Sequence, residues 1–184
     1  AYNHRGQQNG VWGDTTYPIA YAFDEYGQQT EQITFAGAQN DQPALASAPT
    51  RDELVGLAMS KQITKWIFDD ATGLQTRKEY ADGKGTDYDY TPAGQLDTRT
   101  LARGLVTKHE YDPKTLQLVR TSYPGGNRSV DSQTPPIEFA YYRGGQTKTV
   151  TDALGERHFE RDDLGRERVE HLPSGDQIRR DYHE

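Results

Sequence analysis

"RDDLGRERVEHLPSGD", Arg161 to Asp176, holds two turn signals with a charged run between them. Asp162 and Gly165 mark the first turn; Ser174 and Gly175 mark the second. The two glycines stand ten residues apart, and that spacing recurs along the chain. Six segments fit a loose pattern of aromatic, Asp, two or three residues, and Gly. They are "YAFDEYGQQTEQITFAG" from Tyr21, "WIFDDATGLQTRKEYADG" from Trp66, "YDYTPAGQLDTRTLARG" from Tyr88, "HEYDPKTLQLVRTSYPGG" from His109, "FAYYRGGQTKTVTDALG" from Phe139 and "FERDDLGRERVEHLPSG" from Phe159. Five carry the first turn glycine: Gly27, Gly73, Gly94, Gly145 and Gly165; in the fourth segment Leu116 takes that place. Ten residues on there is always a second glycine: Gly37, Gly83, Gly104, Gly126, Gly155 and Gly175.

Glycine reaches positive φ without steric penalty, so a regularly placed glycine marks a regularly placed tight turn. Ten residues between turn glycines leave room for a strand of about six residues and its turns. The intervening Thr, Val, Ile, Tyr and Phe favour strands, and Gly, Pro, Asn and Asp bound them. The pattern predicts an all-β chain, an antiparallel meander with two strands per repeat. Asp24, Asp69, Asp112 and Asp162 precede the turn, where a carboxylate accepts backbone N–H groups as an Asx turn. Thr91 does the same more weakly. Tyr142 cannot, which predicts a looser fifth turn. One such Asp per repeat, always in the same setting, reads as turn chemistry and not as catalysis.

Tyr21 and Phe23 lie six and four residues before Gly27. The matching pairs are Trp66 and Phe68, Tyr88 and Tyr90, His109 and Tyr111, Phe139 and Tyr141, and Phe159 and Arg161. Residues two apart on a strand share a face, so an aromatic ladder should run from repeat to repeat. Its rings either pack as the wall's own core or stay open to a ligand. Trp66, Tyr88, Tyr90 and Tyr141 are the candidate ligand-contacting residues of the open case.

Tyr-Asp-x-x-Gly-Arg repeated at about 21 residues resembles the YD repeats, also called RHS repeats. "RDDLGRERVEHLPSGDQIRRDY" (161–182), "TDALGERHFERDDLGR" (151–166), "YDPKTLQLVRTSYPGG" (111–126) and "WIFDDATGLQTRKEYADGKG" (66–85) carry the likeness, which spans about residues 17–37 and 64–184. The departures are Leu116 for Gly, Tyr142 for Asp, Arg161 for Tyr, and Gln after the turn glycine at three places where Arg is usual. The resemblance implies a long spiralling β-sheet that forms part of a hollow shell, as in bacterial polymorphic toxins, the C components of Tc toxins and the teneurins. It also implies partners: the remainder of a parent chain and a C-terminal effector that the shell encloses or displays. The localisation it implies is bacterial, secreted or at the cell surface. No motif like the self-cleavage site of toxin relatives is present, so the segment should lie upstream of it or apart from it. Six repeats are too few to close a large shell, and a twisted, curved, open sheet is expected. Its edge strands, near Tyr17 and Arg180, should be free to pair with other chains, which makes edge-to-edge self-association an expectation.

Composition agrees with a wall more than with a compact sandwich. The hydrophobic fraction is 33%, low for a globular domain, yet the apolar residues are periodic and so do not read as disorder. Lys plus Arg is 21 against 28 for Asp plus Glu, a net charge of −7 with no basic stripe beyond short runs such as Arg179-Arg180. That argues against a nucleic-acid partner. The apolar runs are too short for membrane insertion by a helix. The absence of cysteine excludes disulfides and thiolate metal sites. The chain opens "AYNHRGQQNGVWGD", with neither initiator Met nor signal peptide, and reads as the interior of something larger.

A single repeat domain over 1–184 is expected, with repeats at about 17–37, 64–85, 86–105, 106–126, 137–156 and 157–177. Two stretches interrupt it. Residues 38–63 carry "TRDE", in which Thr50 and Glu53 form a capping-box signature. Leu54, Leu57, Ala58 and Lys61 follow at helical spacing, beside Val55 and Met59, predicting a short helix near 51–61 whose apolar side packs on the sheet. "NRSVDSQTPPIE", 127–138, reads as an exposed loop because Pro135-Pro136 forbids ladder bonding.

No catalytic constellation stands out. His4, His109, His158, His171 and His183 show no metalloprotease or zinc-finger spacing, and GxSxG and P-loop motifs are absent. Asp69-Asp70 and Asp162-Asp163 lack the alternating acids of a calcium loop. The expectation is a non-enzyme with no catalytic residues, no cofactor and no metal. The alternative is a carbohydrate- or protein-binding module built on the aromatic ladder. A glycosidase would need two carboxylates set across a cleft, and none is singled out.

Overall fold

The computed structural model describes residues 1–13, 16–36, 49–56, 60–124 and 134–182. The protein is all-β. Fourteen antiparallel strands form one open sheet in chain order, with a single short helix among the described residues. The chain divides into two compact units, Ala1–Asp87 and Tyr88–Glu184.

The first unit contains β1 (Gly10–Gly13), β2 (Thr16–Phe23), β3 (Gln29–Ala36), helix α1 (Arg51–Val55), β4 (Ser60–Phe68) and β5 (Gln75–Glu79), and β6 (Gly85–Tyr90) begins in it. The second holds β7 (Leu96–Thr100), β8 (Val106–Tyr111), β9 (Leu118–Ser122), β10 (Ile137–Tyr141), β11 (Thr147–Asp152), β12 (Gly155–Arg161), β13 (Glu167–His171) and β14 (Gln177–Arg179).

In four of the six repeats the first turn is a three-residue hairpin loop, those at Asp24, Thr91, Tyr142 and Asp162. At Asp24 the Gly27 N–H donates to the Asp24 carbonyl at 3.2 Å, and the Asp24 N–H donates to Gln28 O at 3.0 Å. Gly27 has φ +88°, a left-handed conformation that side chains resist. The strand register then slips: Ala22 faces Glu31 but Phe23 faces Gln29, leaving Thr30 unmatched. The same slip follows Ile67, Glu110, Ala140 and Glu160. A bulge at one phase of successive hairpins adds local twist at that rim of the sheet.

Two turns are one residue wider. Gly73 and Leu116 donate their N–H groups to Asp69 and Asp112, four residues back, each at 2.8 Å. Thr72 and Thr115 occupy the extra position, and their hydroxyls donate to the same Asp carboxylates at 2.8 and 3.1 Å. Leu116 sits at φ +58°, the sole non-glycine with positive φ among the described residues.

The fifth turn is not looser. Gly145 N–H to Tyr142 O and Tyr142 N–H to Gln146 O are both 2.9 Å, matching the turn at Asp162. Glycine at φ +87° supplies the bend, so the missing carboxylate costs the turn none of its main-chain bonds. The second glycines Gly37 and Gly126 lie outside the described residues.

The buried core of the first unit sits under α1. Ala20, Ile33, Phe35 and Leu54 form it, with Trp12, Val55 and Ile63 packed against them. Leu54 is fully buried, and its Cδ1 stands 2.7 Å from where a Cβ on Gly10 would be. Only glycine lets the helix come that close. Thr50 and Glu53 make the reciprocal capping box, while Arg51 ties α1 to the sheet through the Tyr21 carbonyl (2.7 Å) and Glu31 (3.2 Å).

Two expectations need correction. The helix ends at Val55 and not near 61: Gly56 caps it, and Lys61 already lies in β4, facing Phe35. Six paired positions between β3 and β4 outweigh one more helical turn. Leu57, Ala58 and Met59 lie outside the described residues. The N-terminal edge strand is not near Tyr17, which belongs to β2. The outer strand is β1, and Ala1 folds along it, its ammonium donating to Gly10 O at 2.7 Å and its carbonyl accepting from the Asn9 N–H at 3.0 Å.

Candidate functional site

Within each unit the repeat residues singled out by sequence fall into two sets, those of the hairpin turns and those of the aromatic ladder on the strands. In the turns, each Asp Oδ1 accepts two backbone N–H groups. Asp24 takes Tyr26 and Gln28; Asp69 takes Ala71 and Thr72; Asp112 takes Lys114 and Thr115; Asp162 takes Leu164 and Arg166. Thr91 accepts one, from Gln95. The bonds favour the ionised form. Asp69 is held below the usual carboxylate range by the Thr72 hydroxyl and backbone, and Asp112 by the backbone N–H groups of Thr115 and Lys114. At Asp162 burial pushes the carboxyl up, but hydrogen bonds and charge from Arg166 outweigh it and hold it low.

The ladder takes a definite face in each unit. Ala20 and Tyr21 are consecutive in β2, so they point to opposite sides. Ala20 pairs with Ile33 and Ile33 with Ile63, the face that α1 covers; Tyr21 pairs with Gln32 and Gln32 with Thr64, the other face. Trp66, two residues from Thr64, is therefore turned away from the helix. It is half-buried beside Lys78, whose Nζ lies 5.2 Å from the Trp66 ring centre and 5.4 Å from that of Tyr80. In the second unit His109, Thr121 and Ile137 pair across one face, followed by Phe139, Val150 and Arg157. Tyr111, Tyr141 and Phe159 share that face. Tyr88, Tyr90, Tyr111 and Tyr141 are all half-buried, and burial pushes the phenols of Tyr90, Tyr111 and Tyr141 up.

These tyrosines are not idle. Tyr111 Oη donates to Leu96 O at 2.9 Å, and Tyr141 Oη donates to Leu118 O at 2.7 Å. Both carbonyls lie two residues past the previous repeat's left-handed turn residue. Arg161 stands at the tyrosine position of the sixth repeat and makes the equivalent bond, Nη2 to Thr147 O at 3.2 Å. Tyr182, twenty-one residues on, does so again to Glu167 O at 2.7 Å. The substitution of Arg for Tyr keeps the bond and changes the donor.

A second set of bonds runs the other way. The glutamine after a turn residue donates to the carbonyl of the next repeat's left-handed residue. Gln28 reaches Gly73 O at 2.9 Å, Gln95 reaches Leu116 O at 2.7 Å, and Gln117 reaches Gly145 O at 3.1 Å. Repeats three and four, and repeats four and five, are thus clasped reciprocally. Repeat four gives Gln117 to repeat five, and repeat five returns Tyr141 to Leu118. The sequence reading noted Gln28 and Gln95 only as departures from Arg after a turn glycine, and it did not single out Gln117, which follows Leu116.

It also missed a turn. Asn3 N–H to Gln7 O is 2.9 Å, Gly6 N–H to Asn3 O is 3.0 Å, and Asn3 Oδ1 accepts from Arg5 and Gln7. Gln7 then donates to Gly27 O at 2.9 Å. "YNHRGQ" is a further repeat turn with Asn for Asp, and its signal was present: Gly6 precedes Gly27 by twenty-one residues.

One hollow of about 600 Å³ is lined by Asp152, Leu154, Arg157, Leu172, Pro173 and Ser174, none of them a candidate aromatic. Another, of 490 Å³, has Asp97, His109 and Tyr111 among its lining residues. Burial, with the charge of Arg99, lowers the His109 pKa, and its Nδ1 lies 3.2 Å from Thr121 Oγ1.

No family model matches the chain, and no curated protein matches it. Among solved structures, the TcdB2-TccC3-Cdc42 structure is 16% identical with a TM-score of 0.45, covering 90% of this chain and 9% of that one. The TcdB2-TccC3 structure is 15% identical with a TM-score of 0.47, covering 90% and 10%. A Photorhabdus luminescens Tc holotoxin pore carrying a TccC3 variant is 14% identical with a TM-score of 0.47, covering 90% and 9%. The chain spans about a tenth of the length of these chains.

Proposed function

We propose that this chain is a non-catalytic wall segment of a larger YD-repeat (RHS) protein, part of a β-shell that encloses or displays an effector. What supports this most is how the repeat residues are spent. The turn carboxylates bind their own backbone, and the glutamines and tyrosines join one repeat to the next. A wall needs this: each hairpin must hold its neighbour in register where little buried core exists to do so. The six phased turns of the sequence support the family reading. A secreted or cell-surface, bacterial setting and a parent-chain partner follow from that reading.

One observation favours a second role, binding of a glycan or protein. The Trp66 ring lies on the face that α1 leaves free. A glycan-array screen with Trp66→Ala and Tyr88→Ala separates the two. Under the wall reading the parent protein binds nothing on the array and both variants melt at lower temperature. Selective binding abolished in both variants would overturn it in favour of recognition.

A further inference from the structure

The hairpin turns at Tyr142 and Asp162 flank a hollow of about 440 Å³ in the second unit. Tyr142, Gln146, Arg161, Asp163, Leu164 and Gly165 are among its lining residues. Arg161 is the unusual member. Its Nη1 donates to Gly165 O and its Nη2 to Thr147 O, both at 3.2 Å, while its Nε is buried without a partner. Arg51, Arg77, Arg120 and Arg157 are half-buried too, and each forms an ion pair with a carboxylate. Arg161 has no such acid among the described residues. Asp162, beside it in the chain, spends Oδ1 on the Leu164 and Arg166 backbone and Oδ2 on the Arg166 side chain at 2.7 Å. A guanidinium cannot shed its charge, so the hollow keeps a cation that only carbonyl dipoles offset.

The same substitution leaves a second donor spare. Gln146 follows Gly145 as Gln28 and Gln95 follow their turn glycines, yet the carbonyl it would clasp, Gly165 O, is taken by Arg161. Its Nε2 stands 3.1 Å from where a Cβ on Gly165 would be, and its amide donates no hydrogen bond among the described residues. Lys148 adds positive charge nearby, with Nζ 5.9 Å from the Tyr142 ring centre. Asp163 is the one lining acid left without a cation.

We propose that this hollow binds a singly charged carboxylate carried on an apolar body. Each terminal nitrogen of Arg161 gives one N–H to a carbonyl and keeps another, and the Gln146 amide adds a donor, so carboxylate oxygens find charge-assisted hydrogen bonds. The Tyr142 ring, whose hydroxyl donates to Phe159 O at 2.7 Å, and Leu164, 77% exposed, offer apolar surface to the rest of the molecule. Asp163 disfavours a doubly charged phosphate by like-charge repulsion.

The test is titration of the ¹⁵N-labelled full chain with benzoate at neutral pH, following the Gly165 amide and the Arg161 Nε–H. Acetate and inorganic phosphate are titrated beside it, as are the variants Arg161→Tyr and Leu164→Ser. Tyr90, Tyr111 and Tyr141 hold the Arg161 position in the three preceding repeats, so Arg161→Tyr keeps a donor for Thr147 O and removes the charge. Benzoate should give saturable shifts, and its affinity should fall on the order of tenfold or more in Arg161→Tyr. Leu164→Ser, at an exposed position, should weaken benzoate and leave the weaker acetate binding as it was. Circular dichroism confirms that each variant stays folded. No saturable shift at tens of millimolar benzoate, benzoate binding unchanged in Arg161→Tyr or in Leu164→Ser, or phosphate binding as tightly as benzoate would each overturn the proposal.

Discussion

Replacing Tyr141 by Phe removes one hydroxyl and leaves the ring in place. That hydroxyl donates a 2.7 Å hydrogen bond to the Leu118 carbonyl. A neutral hydrogen bond contributes about 0.5–1.5 kcal/mol net, and Leu118 is half-buried, so the loss should be about 1 kcal/mol. For a unit of this size that is roughly 4–8 °C in Tm. Gln117→Ala, which deletes the reciprocal bond to Gly145 O, should cost a similar amount. Because both bonds hold the same pair of repeats, losing one loosens the other. The double variant should therefore cost less than the sum by about 0.5 kcal/mol. Urea unfolding followed by circular dichroism measures all four proteins, with Tyr26→Phe as control, since that ring is 75% exposed. There is also an alkaline signature. Burial raises the folded Tyr141 pKa above its ordinary value of 10.0, so its contribution is whole below pH 10 and fades as pH rises through the folded value. Tyr141→Phe should flatten that slope. A loss no larger than in Tyr26→Phe, or strict additivity, would refute the clasp.

Leu116→Gly should stabilise the second unit by up to about 1 kcal/mol, because it relieves a left-handed leucine, at φ +58° and 52% exposed; a raised Tm checks it. Leu54→Ala should cost about 2–5 kcal/mol of the first unit's stability, read by Trp12 fluorescence during unfolding. Asp69, Asp112 and Asp162 have lowered folded pKa values, so their contribution is present above 3.8 and lost as pH falls below it through the folded values. Asp112→Asn should blunt that acid loss in a pH series of melts. His109 is also lowered; the unfolded chain takes up its proton first as pH drops below 6.5, so stability should start falling there, and His109→Phe should remove that slope.

Much of the fold was legible because turns are local. Glycine at positive φ and an Asx acceptor need only their immediate neighbours, so Gly27, Gly94, Gly145 and Gly165 could be placed by spacing. Strand order followed, since a meander pairs each strand with the next. The helix boundary was less legible. Helical spacing from Leu54 to Lys61 is a local signal, and it lost to the pairing of β4 with β3, which no short window contains. The turn at Asn3–Gly6 escaped because Asn replaced Asp and the ten-residue partner glycine was missing, although the period of twenty-one was intact.

The clasps mark the line between the two kinds of knowledge. The sequence by itself determined the period, the turns, the alternation of faces and the aromatic ladder, because each depends on backbone geometry within a few residues. Only the tertiary structure decided what the ladder's hydroxyls and the glutamines do. Gln117 meets Gly145 twenty-eight residues away, and His158 meets His171 across a hairpin. Such meetings depend on register between strands and on bulges that shift it by one residue. A one-residue slip sends every side chain to the other face, so no reading of composition or spacing alone could have found them.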